Sequence, residues 1–418
     1  MRRWVSAIQQ DDVVNVSEEY GVWIEDRMRD IAARAGVPDF VFKPVLIDKG
    51  GARREVGDAL LWIGHQLVVV SIKSRDPKVG NDSPQRRDAW LGKNIAKAIS
   101  QINGTVRTLK SPPPGLVLQS ERGVYIPWDP KLVDEISGAV VVDHNDLWEY
   151  VPDTTSSHVP SVVIAAEDWN LLHSRFASTA SVVGYLGWRT RSGLPALPLE
   201  AERDIIASSH IAEADLPPNT PFEIRPGAWD RAWKDRPELF FGTQPDDRFA
   251  RVIDAMIAGA AETDPLYSNF SGPADYLDVI EFLDRIPPLD RVGMGKGVIR
   301  KCESVGREGG FDALLSIRAP GLVVFLADSS DRSQRIRLLQ GLTAARHSQL
   351  IEATGITKLT TLGIATEPSP SPGRSHDFFL LRAAFDFSEE ERRHRDELFG
   401  PLPSEAPGFA LSRWASSN

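Results

Sequence analysis

Two short apolar stretches near residue 60 end in residues that could carry out metal-assisted hydrolysis. Asp58 directly precedes the stretch ALLWI, and Lys73 closes the stretch QLVVVSIK two residues after Ser71. Side chains alternate between the two faces of a β-strand, so Ser71 and Lys73 share a face. Carboxylate oxygens hold Mg²⁺, and a lysine nearby offsets the charge of an attacked phosphate. The spacing therefore predicts a metal site that hydrolyses a phosphodiester.

Three elements must position these residues. Gly64 and His65 separate the two apolar stretches, which is typical of a β-hairpin. Apolar residues at helical spacing predict a first helix over residues 17–35 and a second over residues 88–109. The first helix carries Glu25, and the second carries Lys93, Lys97 and Gln101. The chain thus presents, in order, a helix acid, a hairpin with an acid and a lysine, and a basic helix.

This ordered set resembles the PD-(D/E)xK, or restriction-endonuclease-like, nuclease superfamily. The matching residues are Glu25 in GVWIE, Asp58 in VGDALLW, the triplet Ser71-Ile72-Lys73, and Lys97 with Gln101 in KAISQ. The resemblance covers residues 15–145. It implies a mixed β-sheet flanked by helices, a Mg²⁺ or Mn²⁺ cofactor, and a nucleic-acid substrate, with DNA favoured over RNA.

The resemblance also implies a role for each residue of the site. Asp58 would be the principal metal ligand, Glu25 would add a second carboxylate, and Lys73 would orient or activate the attacking water. The chain departs from the family pattern at Ser71, where Glu, Asp or Gln is usual. Serine is a weaker, neutral ligand, so the site would hold one negative charge fewer, and Glu25 is the carboxylate that would compensate.

A basic stretch follows the hairpin. Between residues 71 and 110 the chain has nine basic residues and three acids, although its formal net charge is -10. The net charge argues against a protein coated in positive charge, but a local excess of this size can face phosphates. We expect Arg75 and Lys93 to bind substrate in this stretch, together with Lys97 and Gln101, which the resemblance places in the groove.

Each of these residues also has a purely structural interpretation. Glu25 could pair with Arg29 one helical turn later, Asp58 could cap a turn, and Ser71 could be only a small strand residue. Glu55 is a spare carboxylate near the same turn. Under this interpretation the protein has the nuclease fold without activity, and serves as a scaffold that binds nucleic acid or protein.

Composition limits the class of protein. With 42% hydrophobic and 25% charged residues, the sequence is that of a soluble globular protein. Cys302 is the only cysteine, which excludes an internal disulfide and a thiolate metal cluster. No signal peptide or membrane-spanning stretch is recognisable, so we expect a cytoplasmic protein without membrane association.

The chain of 418 residues suggests two or three domains of mixed α/β class. The proline-flanked stretch PDTTSSHVPS predicts a linker. We expect a nuclease-like domain over residues 1–155, a mostly helical region over 156–310, and an α/β module over 311–418. Glu367 and Asp377, at strand ends of that module, leave open a third function, an enzyme for a small ligand. The glycine-rich GMGKG (293–297) is expected to be a loop.

Taken together, the residues and the resemblance predict a metal-dependent DNA endonuclease. Nuclease modules joined to a second module often act in defence or DNA processing, and the resemblance implies the same here. A homodimer, in which each copy cuts one strand, is a further expectation.

Overall fold

The computed structural model describes most of the chain. The described residues are 16–49, 52–79, 83–147, 149–192, 194, 197–215, 223–240, 244–262, 273–318, 321–356, 358–368, 376–382 and 387–402. They divide into two compact units. The first unit contains the residues up to Arg34, Pro38–Leu172 and Val183–Arg203, and the second contains Ala35–Val37, His173–Val182 and the residues from Asp204 onward.

Both units contain helices and strands, which confirms the mixed α/β class. The helices are α1 Val16–Ala35, α2 Pro84–Lys110, α3 Ala166–Phe176, α4 Thr179–Arg191, α5 Glu202–Asp215, α6 Ala228–Asp235, α7 Arg251–Glu262, α8 Pro273–Asp284, α9 Pro288–Glu308, α10 Arg332–Thr354 and α11 Glu389–Phe399. The strands are β1 Val41–Phe42, β2 Val45–Lys49, β3 Ala52–Val56, β4 Ala59–Ile63, β5 Gln66–Ser74, β6 Val117–Gln119, β7 Tyr125–Pro127, β8 Glu135–Asp143, β9 Ser161–Ala165, β10 Phe311–Arg318, β11 Gly321–Asp328, β12 Thr361–Thr366 and β13 His376–Leu381.

The first unit is built on a five-stranded sheet in the order β1-β4-β5-β8-β9. The predicted hairpin is confirmed: β4 and β5 are antiparallel, and Gly64 and His65 form the turn between them. α2 then connects β5 to β8, which lies parallel to it. Strands in the middle of a sheet are buried on both faces, which explains the almost continuous apolar runs of β5 and β8.

Alternation along β5 decides which residues meet α2. Leu67 and Val69 pack in one core with Ile95 and Ile99 of α2. Each such apolar side chain contributes about 1.5–3 kcal/mol when it is fully buried. Ser71 and Lys73 continue the same period of two, so they face α2 at the carboxyl end of the strand. Packing of the apolar residues of β5 on α2 therefore determines that the side chains of Ser71 and Lys73 also face α2.

The predicted linker lies inside the first unit. β9 begins at Ser161, the last residue of this stretch, and pairs in parallel with β8, so the stretch connects two strands of one sheet. Gly138, where this pairing begins, lies close to Ile102 of α2. A Cβ atom at position 138 would lie 2.9 Å from the Ile102 Cγ2. The first unit therefore extends beyond residue 155 and includes most of α3 and α4.

The second unit contains α5 to α11 and a four-stranded sheet in the order β10-β11-β12-β13. Its sheet repeats the order of the first: an antiparallel hairpin (β10, β11), a helix (α10), and a strand (β12) parallel to the second hairpin strand. The stretch GMGKG is not a loop but lies within α9. Its Gly297 lies against Leu314 of β10, where a Cβ atom would come within 2.7 Å of the Leu314 Cδ2. In the described part of the chain, no helix combines the length and apolarity needed to cross a membrane.

Candidate active site

The candidate site begins at the turn into β4. Gly57 has a φ of +74°, a conformation that glycine adopts without strain. The backbone N–H of Asp58 then donates to the Val70 carbonyl at 3.1 Å and extends the β4–β5 pairing by one residue. As a result Asp58 lies opposite Ser71 across the hairpin. Only 8% of the Asp58 surface is exposed.

The Asp58 carboxylate is held by β5. Its Oδ2 accepts hydrogen bonds from the Ile72 backbone N–H at 2.5 Å and from the Ser71 Oγ at 3.0 Å. The Lys73 Nζ lies 3.6 Å from the same oxygen. Burying a carboxylate costs free energy unless such donors bind it. The structure thus brings together the three residues that the sequence predicted: Asp58, Ser71 and Lys73.

Lys73 lies among oxygen atoms. Its Nζ donates to the Ile72 carbonyl at 2.7 Å and to the Ser71 Oγ at 3.1 Å, beside the Asp58 carboxylate. The Lys73 and Asp58 side chains are 13% and 11% exposed. The ammonium therefore occupies a small, oxygen-lined position with restricted access to solvent. Such a position favours a cation.

α2 adds the next polar group. The Gln101 Oε1 accepts a hydrogen bond from the Ser71 Oγ at 3.3 Å, so the predicted glutamine also reaches the site. Lys97 and Lys93 precede it by one and two helical turns, and both are exposed. These three residues form a stripe on α2 that leads away from Asp58. Arg75 lies at the end of β5 with its guanidinium 5.8 Å from the centre of the Trp90 ring of α2.

α1 passes the same edge of the sheet. The Tyr20 hydroxyl donates to the Asp143 Oδ2 at 2.6 Å at the end of β8; burial and this acid raise the pKa of Tyr20. Two helical turns further on, the Arg29 Nη1 donates to the Asp58 carbonyl at 3.0 Å. Glu25 lies between these two contacts and one turn before Arg29, on a half-buried part of α1. α1 therefore holds Glu25 along the edge where β5 ends.

Arg29 and Glu121 are site residues that the sequence prediction missed. The Arg29 guanidinium pairs with Asp26 and with Glu121, whose Oε1 lies 3.3 Å from the Arg29 Nε. Glu121 and Arg29 are 92 positions apart in the chain, so no local pattern joins them. The one available signal was the position of Arg29 one turn after Glu25. That spacing suggested a pair on the helix surface rather than a contact with the Asp58 backbone.

The candidate site combines one carboxylate, that of Asp58, with neutral oxygen atoms. Oxygen atoms of Asp58, Ser71, Ile72 and Gln101 lie close together, and Mg²⁺ and Mn²⁺ prefer oxygen ligands. Among the described residues, no group of three or more His, Cys, Asp and Glu side chains is placed to hold a metal. Asp58 and Glu25 are the carboxylates that would hold the ion here. The side chain of Glu55, the spare carboxylate, lies outside the described residues.

The strand-end acids of the second unit lie in an ionic cluster. Asp377 pairs with Arg332 at 2.7 Å and with Arg335 at 3.3 Å. Glu367 lies 3.4 Å from the Arg335 Nη1. Asp377 and Arg335 are almost fully buried, and opposite charges of this kind neutralise one another. These contacts favour a structural role for both acids.

No protein-family model matches this sequence, and neither curated proteins nor solved structures give a significant match. The resemblance to PD-(D/E)xK nucleases accordingly stays a prediction. Its support is local: Asp58, Ser71, Lys73 and Gln101 are joined by hydrogen bonds and one ion pair at the end of β5.

Proposed function

We propose that the protein is a metal-dependent nuclease that hydrolyses phosphodiester bonds in DNA. One observation carries the proposal. A buried carboxylate (Asp58), a lysine ammonium (Lys73) and a hydroxyl (Ser71) lie within 3.6 Å of one another at a sheet edge, where the exposed lysines of α2 begin.

Each group has a distinct task in this proposal. Asp58 and Glu25 would hold Mg²⁺ or Mn²⁺, which supplies Lewis-acid polarisation of a phosphoryl oxygen and an activated water. Lys73 would offset the negative charge that grows on the attacked phosphate. Lys93 and Lys97, with Arg75, would bind the flanking phosphates and fix the register of the strand. Gln101 would orient Ser71 and Lys73.

A second function has one specific observation in its favour. With Ser71 in place of an acid, the Lys73 ammonium balances the charge of Asp58 without a metal. The nuclease fold would then serve as a scaffold that binds DNA or a protein without cutting. The same α2 stripe would supply salt-sensitive DNA binding.

The proposal also includes a cellular location and binding partners. The single cysteine suits a reducing compartment, which favours the cytoplasm. DNA is the proposed partner, in defence or in DNA processing. A homodimer would convert a plasmid directly to the linear form, whereas a monomer would first accumulate nicked circles.

Plasmid cleavage tests the function. Supercoiled DNA would be incubated with Mg²⁺ or Mn²⁺ and with wild type, Lys73→Met or Lys131→Met. Lys73→Met keeps the length of the side chain and removes its charge, so we expect cleavage to fall at least about 100-fold. Removal of either member of the Asp58–Lys73 pair leaves the other charge buried without its counter-charge, at a cost of roughly 3–5 kcal/mol, so thermal unfolding must show that Lys73→Met is folded at the assay temperature before cleavage is compared.

The control lysine belongs to the same unit. Lys131 is exposed and precedes the amino end of β8, at the opposite end of the sheet from Ser71, so Lys131→Met should cleave like wild type. Equal cleavage by Lys73→Met and wild type would show that the activity does not come from this site. Salt-sensitive DNA binding by wild type without any cleavage would support the scaffold function instead.

A further inference from the structure

A groove runs along the outer face of α1, next to the candidate active site. Its volume is about 450 Å³, within the range of small-ligand sites. It is lined by one aromatic ring, three cations and three acids: Trp23, Arg27, Arg29, Lys43, Asp26, Asp30 and Glu121. Arg29 belongs to both places, because the same guanidinium that lines the groove donates to the Asp58 carbonyl at 3.0 Å. A molecule in the groove therefore lies one side chain away from Asp58.

The largest apolar surface of this groove is an indole. Trp23 is 52% exposed, which is unusual for so large an apolar ring. Tyr20 packs beside it with ring centres 5.8 Å apart, and the hydrogen bond from Tyr20 to Asp143 keeps that neighbour in place. The Arg27 guanidinium lies over the indole, 5.2 Å from the ring centre. The indole thus has the Tyr20 ring beside it and a flat cationic group over it.

The charged side chains of the groove differ in whether they form ion pairs. Asp26 and Glu121 both pair with Arg29, and Glu121 also lies 3.6 Å from the Lys43 Nζ. The third acid, Asp30, pairs with Arg34 at 2.6 Å. Arg27, by contrast, forms no ion pair with any residue that the structure describes. Among the cations that line the groove, Arg27 is the one without a described carboxylate partner, and its planar guanidinium suits a phosphate.

We propose that this groove binds an unpaired nucleotide, with its base stacked on Trp23 and its phosphate on Arg27. The base would take the position over the indole that Arg27 now covers. Stacking of this kind accepts any base, because every base has a π-face. In an intact duplex both faces of each base are covered by neighbours, so the groove selects single-stranded or flapped DNA over duplex. The link to cleavage rests on the proposed nuclease function.

Binding of single-stranded DNA tests the inference without any cleavage. Fluorescence anisotropy in EDTA would compare a labelled oligo-dT with a hairpin duplex of the same length, for wild type, Trp23→Ala and Trp23→Phe. Loss of one base–aromatic stack should weaken oligo-dT binding by Trp23→Ala about tenfold or more. Duplex binding should stay at the wild-type level, and Trp23→Phe, which keeps a ring, should bind oligo-dT more tightly than Trp23→Ala.

Tyr125 provides the matched control, since it is an exposed aromatic of the same unit outside the groove, and Tyr125→Ala should bind like wild type. Wild-type affinity of Trp23→Ala for oligo-dT, or an equal loss for oligo-dT and duplex, would overturn the inference. The proposed function fails separately: Trp23-dependent binding in EDTA with no metal-dependent cleavage of plasmid or flapped DNA would remove the nuclease and keep the nucleotide groove.

Discussion

Ser71 decides how the charges of the candidate site balance. Its hydroxyl donates to Asp58 and accepts from Lys73, so it joins the acid and the lysine without adding charge. Asp58 also accepts the Ile72 backbone N–H. Charge-assisted hydrogen bonds of this kind contribute about 1.5–3 kcal/mol each, which offsets part of the cost of burying the carboxylate. One carboxylate and one ammonium leave the described site nearly neutral, and a divalent cation would add charge that Glu25 must balance.

A second acid at this position should strengthen metal binding. Ser71→Glu would place a carboxylate beside Asp58 in the oxygen-lined position, so without metal the two acids repel and the melting temperature should fall. With Mn²⁺ the repulsion becomes shared coordination, and the melting temperature should rise by more than that of wild type. Thermal unfolding in EDTA and in a Mn²⁺ series measures both effects. Half-maximal cleavage should need at least about tenfold less Mg²⁺, a difference of about 1.4 kcal/mol in binding.

Ser71→Gln is the control for this prediction, because it has nearly the same size and no charge. It should show neither the loss of stability in EDTA nor the larger Mn²⁺ effect. Equal behaviour of the Glu and Gln variants would mean that no metal binds beside residue 71.

Strand periodicity made most of this site predictable at the level of single residues. Asp58, Ser71 and Lys73 follow from two rules, that strands alternate and that a two-residue turn fixes the hairpin register. Gln101 followed from the family resemblance. Arg29 and Glu121 did not follow, because their contact depends on how α1 lies against a loop between β6 and β7. A sequence carries no local signal of such a contact.

The position of α2 depends on one glycine of β8. At Gly138 a Cβ atom would lie 2.9 Å from the Ile102 Cγ2 and would also meet Ser161. Ile102 is fully buried and follows Gln101 directly in the chain. We expect Gly138→Ala to lower the free energy of unfolding by about 1–3 kcal/mol through overpacking. It should also reduce cleavage, because a displaced Ile102 moves Gln101 away from Ser71.

Gly104→Ala is a matched control in α2 itself. A Cβ atom at Gly104 meets no other atom within 4 Å, and alanine is favoured over glycine inside a helix by about 1 kcal/mol. Thermal unfolding should therefore show opposite signs for the two variants. A neutral effect of Gly138→Ala would show that α2 can shift without loss, and that the site does not depend on this packing.

Element boundaries were predictable from the sequence where the apolar periodicity was strong. The prediction was wrong for a glycine-rich stretch that lies in a helix. The hairpin, α1 and α2 lie where the apolar spacing predicted them. GMGKG was expected to be a loop because glycine disfavours helix. In α9, Gly295 and Gly297 let the helix approach Phe249 and Leu314, and the packing that this permits outweighs the intrinsic preference. Tertiary contacts of this kind are absent from any local reading of the sequence.

The five-stranded and the four-stranded sheet share an order of elements but differ in chemistry. In the first unit the carboxyl end of the second hairpin strand carries Ser71 and Lys73. In the second unit the strand β11, GLVVFLAD, has no lysine, and Arg335 neutralises the acids nearby. The shared order did not appear as a sequence repeat, because packing preserves burial patterns while the side chains change. Catalytic chemistry is accordingly proposed only for the first unit.

Stability of the whole molecule should fall in mild acid because of a buried histidine. His173 of α3 is 1% exposed, and burial lowers its pKa to about 3. Unfolded chains bind a proton on histidine below about pH 6.5, whereas the folded chain does not, so folding stability is lost as the pH falls from 6.5 toward 3. At pH 4.5 this amounts to about 2–3 kcal/mol. Calorimetric unfolding between pH 4.5 and 7.5 should therefore show a smaller decline for His173→Met than for wild type.

The contribution of Asp168 to stability changes with pH in the opposite direction to that of His173. The pH dependence of stability must therefore be compared between wild type and a His173 variant. Burial raises the pKa of Asp168 to about 6, although Arg203 opposes the shift, so its contribution to stability falls as the pH rises from about 4 to 6. This contribution is common to wild type and His173→Met and cancels in their difference. His158→Gln, a change at an exposed histidine, should keep the wild-type decline. Parallel curves for wild type and His173→Met would show that His173 is protonated in the folded chain, and that its surroundings admit water or a counter-charge.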